Sequence, residues 1–377
     1  MSWKERRLGE VLTLKRGYDL PEAQRRPGDI PVISSSGITG SHNMAMVEGP
    51  GVVTGRYGTM GEVFYVEGDY WPHNTALYVR DFKGNHPRFI AYFLKNALRG
   101  TNSNKAAVPG VNRNDLHERK VCSPDLETQG RIVEQLLPID DLIENNRRRI
   151  ALLEQSARLL YREWFVHLRF PGHEHVKVVD GVPEGWAREK LSDLVSPQYG
   201  FTEAAVKERV GPKFLRGTDI NKASYITWAD VPYCQIDDQQ KKKYQLNRED
   251  VVVIRMADPG KVAIVEDDID AVFASYLIRF NLASERLRPY YLFYVLDASE
   301  YQGYVGGSST GATRKTANAG LLTSFILRVP PESLQDEFVA SIKPMREQIS
   351  ILLDQNEKLR QARDLLLPRL MSGELVV

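Results

Sequence analysis

Between residues 126 and 170 apolar side chains recur in alternating steps of four and three: Ile132, Leu136, Ile139, Ile143, then Asn146, then Ile150, Leu153, Ala157, Leu160 and Trp164. The ladder returns 206 positions later as Phe338, Ile342, Met345, Ile349, Leu352, Asn356, Leu359, Arg363, Leu366 and Leu370. A 3.5-residue period held over more than four heptads predicts a coiled-coil seam, and two such helices in one chain most simply pack on each other. Taken singly, each ladder would also suit an amphipathic helix lying on its own domain. Gln129 and Pro138 recur at the same offset as Gln335 and Pro344. Each proline removes a helix hydrogen bond and is expected to kink or restart its helix one turn in.

The polar rungs set the orientation. In an antiparallel pair Asn146, the fifth rung, meets Asn356, the sixth; in a parallel pair they face Leu352 and Ile150, leaving two buried amides unpaired at about 1–3 kcal/mol each. An antiparallel pair with Asn146 against Asn356 at its centre, fixing register, is therefore expected. Arg363, placed opposite Ile143, is expected to reach outward to solvent. Rung one to rung ten spans roughly 48 Å at ~1.5 Å per residue. The block before the first helix is then held near Ile132 and Leu370, and the block between the helices near Trp164 and Phe338.

Those blocks echo each other more faintly. "SWKERRLGEVLTLKRG" from Ser2 matches "GWAREKLSDLVSPQYG" from Gly185, and "GVVTGRYGTMGEVFYV" from Gly51 matches "DVVVIRMADPGKVAIV" from Asp250. The second pair reads as strand, glycine turn, strand, with Arg56 and Arg255 leaving the first strand at the turn. Helical "RFIAYFLKNAL" from Arg88 matches "PYYLFYVLDAS" from Pro289. The expected fold is α+β: two mixed α/β globular modules, 1–125 and 171–330, separated by an antiparallel two-helix coiled-coil spacer from 126–170 and 331–377, in a pseudo-two-fold internal repeat. Alike scaffolds with unlike loops suggest two modules of one type reading two different targets.

Composition narrows the class. A chain of 377 residues exceeds one ordinary core. No apolar run approaches the ~18 residues of a membrane span and no signal-peptide core precedes the first module, so a cytoplasmic protein without membrane contact is expected. Two cysteines are too few for a disulfide framework or a zinc site. The net charge of +1 divides as +4, 0, −1 and −2 over 1–125, 126–170, 171–330 and 331–377, so nucleic acid would be gripped by local clusters, with help from a more basic partner.

Motifs of catalysis are weak. "DVPY" at Asp230 has a valine where an adenine-methyltransferase box has proline, and reads better as a turn; "GHEHV" at Gly172 reads as a solvated linker; no Walker A sequence occurs. No catalytic residue and no metal site is assigned. Lys241, Lys242 and Lys243 suit a wet face or a phosphate contact. What remains are loop residues suited to base edges and phosphates. Arg56, followed by Tyr57, and Arg255 sit at equivalent turns, and arginine can pair bidentately with guanine. Ser35 and Ser36 in "SSSG" and Arg216 and Thr218 in "RGTD" occupy similar early loops. His73, Asn74 and Thr75 follow Trp71; Asn112 and Arg113 lie in "GVNRND"; Ser309, Thr310, Arg314 and Lys315 lie in "SSTGATRK". Each suits turn chemistry as well as recognition; together, at matching places in the two blocks, they are expected to form a DNA-binding face in each module.

This order of parts resembles the specificity subunit of a type I restriction-modification system. The resemblance spans essentially the whole chain and rests on the entry at Val182 to Trp186, "ETQGRIVEQL" from Glu127, "LLYREWFV" from Leu159 and "LLLPRLMSGEL" from Leu365. The family more commonly has Glu-Gln where this chain has Thr128-Gln129 and Leu334-Gln335. The resemblance implies a non-catalytic subunit whose two target-recognition domains each read half of a bipartite, asymmetric double-stranded DNA site, with the helix pair setting the gap. It implies two adenine methyltransferase subunits docked along the helices, motor-nuclease subunits joining them, and S-adenosylmethionine, ATP and Mg2+ on those partners, with no cofactor in this chain. A stand-alone two-headed DNA-binding regulator and a protein-binding adaptor are the other readings.

Overall fold

The structure, a computed structural model, describes residues 3–56, 62–99, 112–308 and 315–375. It divides into two compact units, Met1–Glu144 with Lys358–Val377, and Asn145–Glu357. The division falls inside both long helices, so each unit joins one globular module to a segment of each helix.

The first unit runs β1 (Lys4–Arg7), α1 (Leu8–Val11), β2 (Thr13–Arg16), β3 (Ile30–Ser34), β4 (Gly37–His42), β5 (Gly51–Gly55), β6 (Val63–Val66), β7 (Trp71–Pro72), β8 (Ala76–Asp81), α2 (Pro87–Ala97), α3 (Arg113–His117) and β9 (Lys120–Ser123), then enters α4 (Leu126–Tyr161). Its main sheet has the antiparallel order β2-β8-β5-β6. All of β5 is buried because both its faces are covered. Val52 packs in a core with Phe89 and Phe93 of α2, while Val53 points the other way, toward Ile33, Tyr70 and Tyr78. β1 pairs with β9, and β3 lies between β4 and β7, parallel to the latter.

The second unit begins with a small hairpin, β10 (Val178–Val179) and β11 (Val182–Pro183). It continues through β12 (Ala187–Lys190), α5 (Leu191–Leu194), β13 (Val195–Tyr199), β14 (Lys213–Leu215), α6 (Gly217–Ile220), α7 (Asp238–Tyr244), β15 (Val251–Ile254), β16 (Val262–Ile264), β17 (Ala271–Phe273), β18 (Leu277–Leu282), α8 (Pro289–Asp297), α9 (Ser299–Ser308), α10 (Ala319–Thr323), β19 (Ile326–Val329) and α11 (Glu332–Met371). The plan is that of the first unit. The main sheet is β13-β18-β15-β16, β12 pairs with β19, and β14 runs parallel to β17. Val251 and Val253 join the core under α8, and Val252 and Ile254 join a second one on the opposite face.

The repeated glutamine tethers each module to its helix. Gln129, 1% exposed, accepts from His86 N at 2.9 Å and donates to Asn85 Oδ1 and Pro124 O at 2.7 and 3.1 Å. Gln335, fully buried, accepts from Arg288 N at 3.0 Å and donates to Arg286 O and Pro330 O at 2.8 and 2.9 Å. A buried amide with its bonds made fixes where the helix begins relative to the module.

Every rung of both ladders is buried or half-buried. In the second unit Asn146 Nδ2 donates to Asn356 Oδ1 at 3.1 Å, Ile150 packs with Ile349 and Leu352, and the Trp164 and Phe338 rings lie 6.0 Å apart. In the first, Ile132 and Leu136 share a core with Leu367 and Leu370. Within each unit the helix segments are therefore antiparallel. Two expectations are corrected. Both helices run through Pro138 and Pro344 without a restart, each proline lying on the exposed face. Arg363 does not reach outward to solvent: its Nη1 donates to Asp140 Oδ1 at 2.8 Å, because Asp140, which also accepts from Tyr92 Oη at 2.6 Å, supplies a nearby counter-charge; the eighth rung falls opposite the third, Ile139, and not opposite Ile143.

Candidate nucleic-acid interface

At one end of the first unit's sheet β2 and β5 terminate and β8 begins, with Arg16 opposite Leu77 and Gly55 opposite Ala76. The chain leaves β2 through Gly17, where a Cβ would meet the carbonyl oxygens of His73 and Pro72 at 2.2 and 2.4 Å. Only glycine lets these backbones approach so closely. Arg56 N donates to Thr75 O at 3.1 Å, Ser35 N to Thr75 Oγ1 at 3.4 Å, and His73 Nδ1 lies 3.1 Å from the same hydroxyl. Asn74 Nδ2 donates to Asp19 Oδ1 at 2.5 Å, and Arg16 Nε to Asn74 O at 3.2 Å. Ser36 Oγ lies 3.0 Å from Ser34 Oγ. Ser35, Arg56, His73, Asn74 and Thr75, distant in sequence, thus form one half-buried polar cluster. Burial lowers the His73 pKa, with Arg25 adding to the effect, so at neutral pH the ring offers one donor and one acceptor and no charge.

The same end of the second unit repeats the backbone and changes the side chains. At Gly200 a Cβ would meet Ala274 O and Phe273 O at 2.3 and 2.5 Å. Arg255 N donates to Tyr276 O at 2.9 Å, as Arg56 N does to Thr75 O. Ala274, Ser275 and Tyr276 therefore stand where His73, Asn74 and Thr75 stand. Sequence reasoning missed them because no residue type is shared; the signal was the 201-residue offset that also relates α2 to α8. Arg255 has no carboxylate partner among the described residues. Its guanidinium lies 5.1 Å from the ring centroid of Tyr199, whose hydroxyl accepts from Ala319 N at 3.1 Å, and its Nη1 touches only Met256 Sδ at 3.8 Å. Cation–π contact holds an arginine in place while leaving its donors available. Lys315 is brought alongside, since Ala317 N donates to Arg255 O at 2.9 Å and Ala257 N to Lys315 O at 3.0 Å.

Other predicted residues have local roles. Arg216 Nε and Nη2 bind Asp219 at 3.0 and 2.8 Å, a bond that raises the guanidinium pKa further; Thr218 is exposed on α6. Asn112 caps α3, accepting from Asn114 N at 3.0 Å, and Arg113 is exposed on its first turn. Tyr57, Ser309, Thr310 and Arg314 lie outside the described residues. Lys241 pairs with Asp270 at 2.7 Å, and Asp230 lies in a turn. Among the described residues no group of His, Cys, Asp and Glu could hold a metal ion, and no helix is long and apolar enough to cross a membrane.

Residues 1–155 and 183–361 match the model of the type I restriction modification DNA specificity domain. The type I restriction enzyme MjaIX specificity subunit of Methanocaldococcus jannaschii is 25% identical over 286 residues, covering 73% of this chain and 65% of that protein. The MjaVIII specificity subunit of the same organism is 24% identical over 294 residues, covering 76% and 68%. The chain thus spans about two thirds of the length of these relatives. The crystal structure of the type-I restriction-modification system S subunit from M. genitalium matches with a TM-score of 0.57 at 12% identity, covering 98% of this chain and 96% of that one, a likeness of fold.

Proposed function

The chain belongs to the type I restriction-modification DNA specificity family, and from that premise we propose that it is the sequence-reading subunit of a DNA-methylating and cleaving complex. Each unit reads one half of a split, asymmetric double-stranded site. The observation that carries this reading is the sheet end common to both units: one backbone, fixed by Gly17 and Gly200, displays Ser35, Arg56, His73, Asn74 and Thr75 in one and Arg255, Ser275, Tyr276 and Lys315 in the other. A shared scaffold with unlike polar faces suits two readers of different base sequences. Arg255 is the base-reading candidate of the second unit, since an arginine can pair bidentately with guanine O6 and N7 in the major groove. Phosphate contacts from neighbouring basic residues set position and carry no sequence information.

The paired helices act as a coiled-coil spacer: roughly 48 Å corresponds to ~14 base pairs at ~3.4 Å each. Their outer faces, with exposed Arg147, Arg148 and Arg149, dock two adenine methyltransferase subunits, which flip the target base. S-adenosylmethionine, ATP and Mg2+ belong to those partners and to motor-nuclease subunits; the chain itself does no chemistry and works in the cytoplasm. Selection of duplexes from a random-sequence pool by the full chain with its methyltransferase subunits should return two fixed half-sites at a constant gap, with affinity falling steeply with salt. A single contiguous motif, or none, contradicts the reading.

A further inference from the structure

In the second unit a cavity of about 460 Å³ opens between the end of α4, the β12–β19 ribbon and α8. Its walls include the aromatic rings of Phe165, Tyr291 and Phe325 and the side chains of Val295 and Ile326, the last 58% exposed. Two arginines also line it. Arg188 and Arg328 are directly opposite each other across the antiparallel ribbon. Like charges at such a position repel, and neither guanidinium has a hydrogen-bond or ion-pair partner among the described residues. Glu300 lines the cavity too, but forms no ion pair with either arginine.

A third polar group points to a ligand. Tyr161 lines the cavity as well, and its hydroxyl, without a hydrogen-bond partner among the described residues, is open to that space. Burial raises its pKa well above the usual tyrosine range, so the group is a donor.

The arginine pair is no requirement of the scaffold. The corresponding ribbon of the first unit opposes Glu5 and Cys122, and Glu5 is neutralised by Lys120 at 2.8 Å. Among the described residues, only the second unit gathers two unpaired cations and a free phenol beside aromatic walls.

We propose that this cavity binds a small organic anion with an aromatic body, its anionic group between Arg188 and Arg328 and within reach of the Tyr161 hydroxyl, its rings against Phe165, Tyr291 and Phe325. A volume of this size suits a compact ligand, and stacked or edge-on rings are the contacts such walls favour. The proposal does not depend on the DNA reading, whose residues lie at the sheet end.

Fluorescence titration of the full chain with 8-anilinonaphthalene-1-sulfonate, an aromatic body carrying one sulfonate, tests it. The dye should saturate at one per chain. R188Q/R328Q should bind it at least about tenfold more weakly, since each lost charge-assisted hydrogen bond is a factor of about ten or more. N-phenyl-1-naphthylamine, the same body without the charge, should show a similar loss with the unaltered chain. Val295→Trp, which fills the cavity and keeps both arginines, should also abolish binding, with circular dichroism reporting that each variant is folded. Absence of stoichiometric binding, equal binding of the neutral compound, or undiminished binding by folded R188Q/R328Q would overturn the proposal.

Discussion

Gln129 in the first unit and Gln335 in the second make equivalent hydrogen bonds, whereas Arg56 and Arg255, leaving equivalent strands, meet different company. The residues that hold a module to its helix are the same in kind. Those at the sheet end are not: the first unit has a half-buried polar cluster around Thr75, and the second has an arginine held over Tyr199. The two units stay alike where a buried amide fixes the start of the helix and differ at the sheet end. A second difference lies in how the modules are clamped. The second unit buries Arg346, 2% exposed, against Glu266 with Nε–Oε1 at 2.8 Å, and adds a bond from Arg346 Nη2 to Ser224 O at 3.1 Å. The first uses Arg363 and Asp140, both more exposed.

The comparison breaks most severely at that clamp. Glu266→Ala leaves a guanidinium buried without its counter-ion and should cost the second unit about 3–5 kcal/mol, whereas Asp140→Ala should cost the first only about 1.5–3 kcal/mol. Urea unfolding followed by hydrogen exchange in each unit separates the two; equal losses would show the clamps to be equivalent. Gln129→Ala and Gln335→Ala should each cost about 1–3 kcal/mol and agree with each other, because each strands buried backbone groups. Arg255→Ala should lose about 1–3 kcal/mol of discrimination at one base of one half-site, leaving the other half unchanged in competition binding.

Asn146→Leu alone strands the Asn356 amide, at about 1–3 kcal/mol, while the double change to leucine should be near neutral; thermal unfolding of the three variants checks this. The smallest effect is acid sensitivity of the first unit. His117 Nε2 accepts from Leu14 N at 2.9 Å, and burial, helped by Arg113, lowers its pKa. A lowered folded pKa means the stabilisation is full above the ordinary value near 6.5 and is lost as pH falls through the lowered one. His117→Gln should flatten that part of the first unit's stability profile.

The ladders made both helices and their burial legible, because packing imposes a period that loops lack. Asn146 with Asn356 could be paired by counting, since burying two amides unpaired is costly. The same count, taken correctly, sets Arg363, the eighth rung, against the third, Ile139, and not against Ile143; what the ladder ignores is Asp140 next to the seam, whose carboxylate keeps the guanidinium from solvent. The "RGTD" stretch held its own answer, an acid three residues after Arg216, yet the arginine reads as a free loop cation until that bond is seen. Ala274, Ser275 and Tyr276 had no composition to mark them; only the backbone equivalence of Gly17 and Gly200 exposes their position.

If the two units are independent readers, exchanging one module changes its own half-site alone. Co-expression of the chain with its methyltransferase subunits, and of a chimera whose residues 1–125 come from a relative of different specificity, followed by mapping of N6-methyladenine, tests it most directly. The prediction is a bipartite motif in which one half changes in the chimera while the other half and the gap stay the same. A motif that changes in both halves, or the absence of any methylated motif from the unaltered chain, would contradict it.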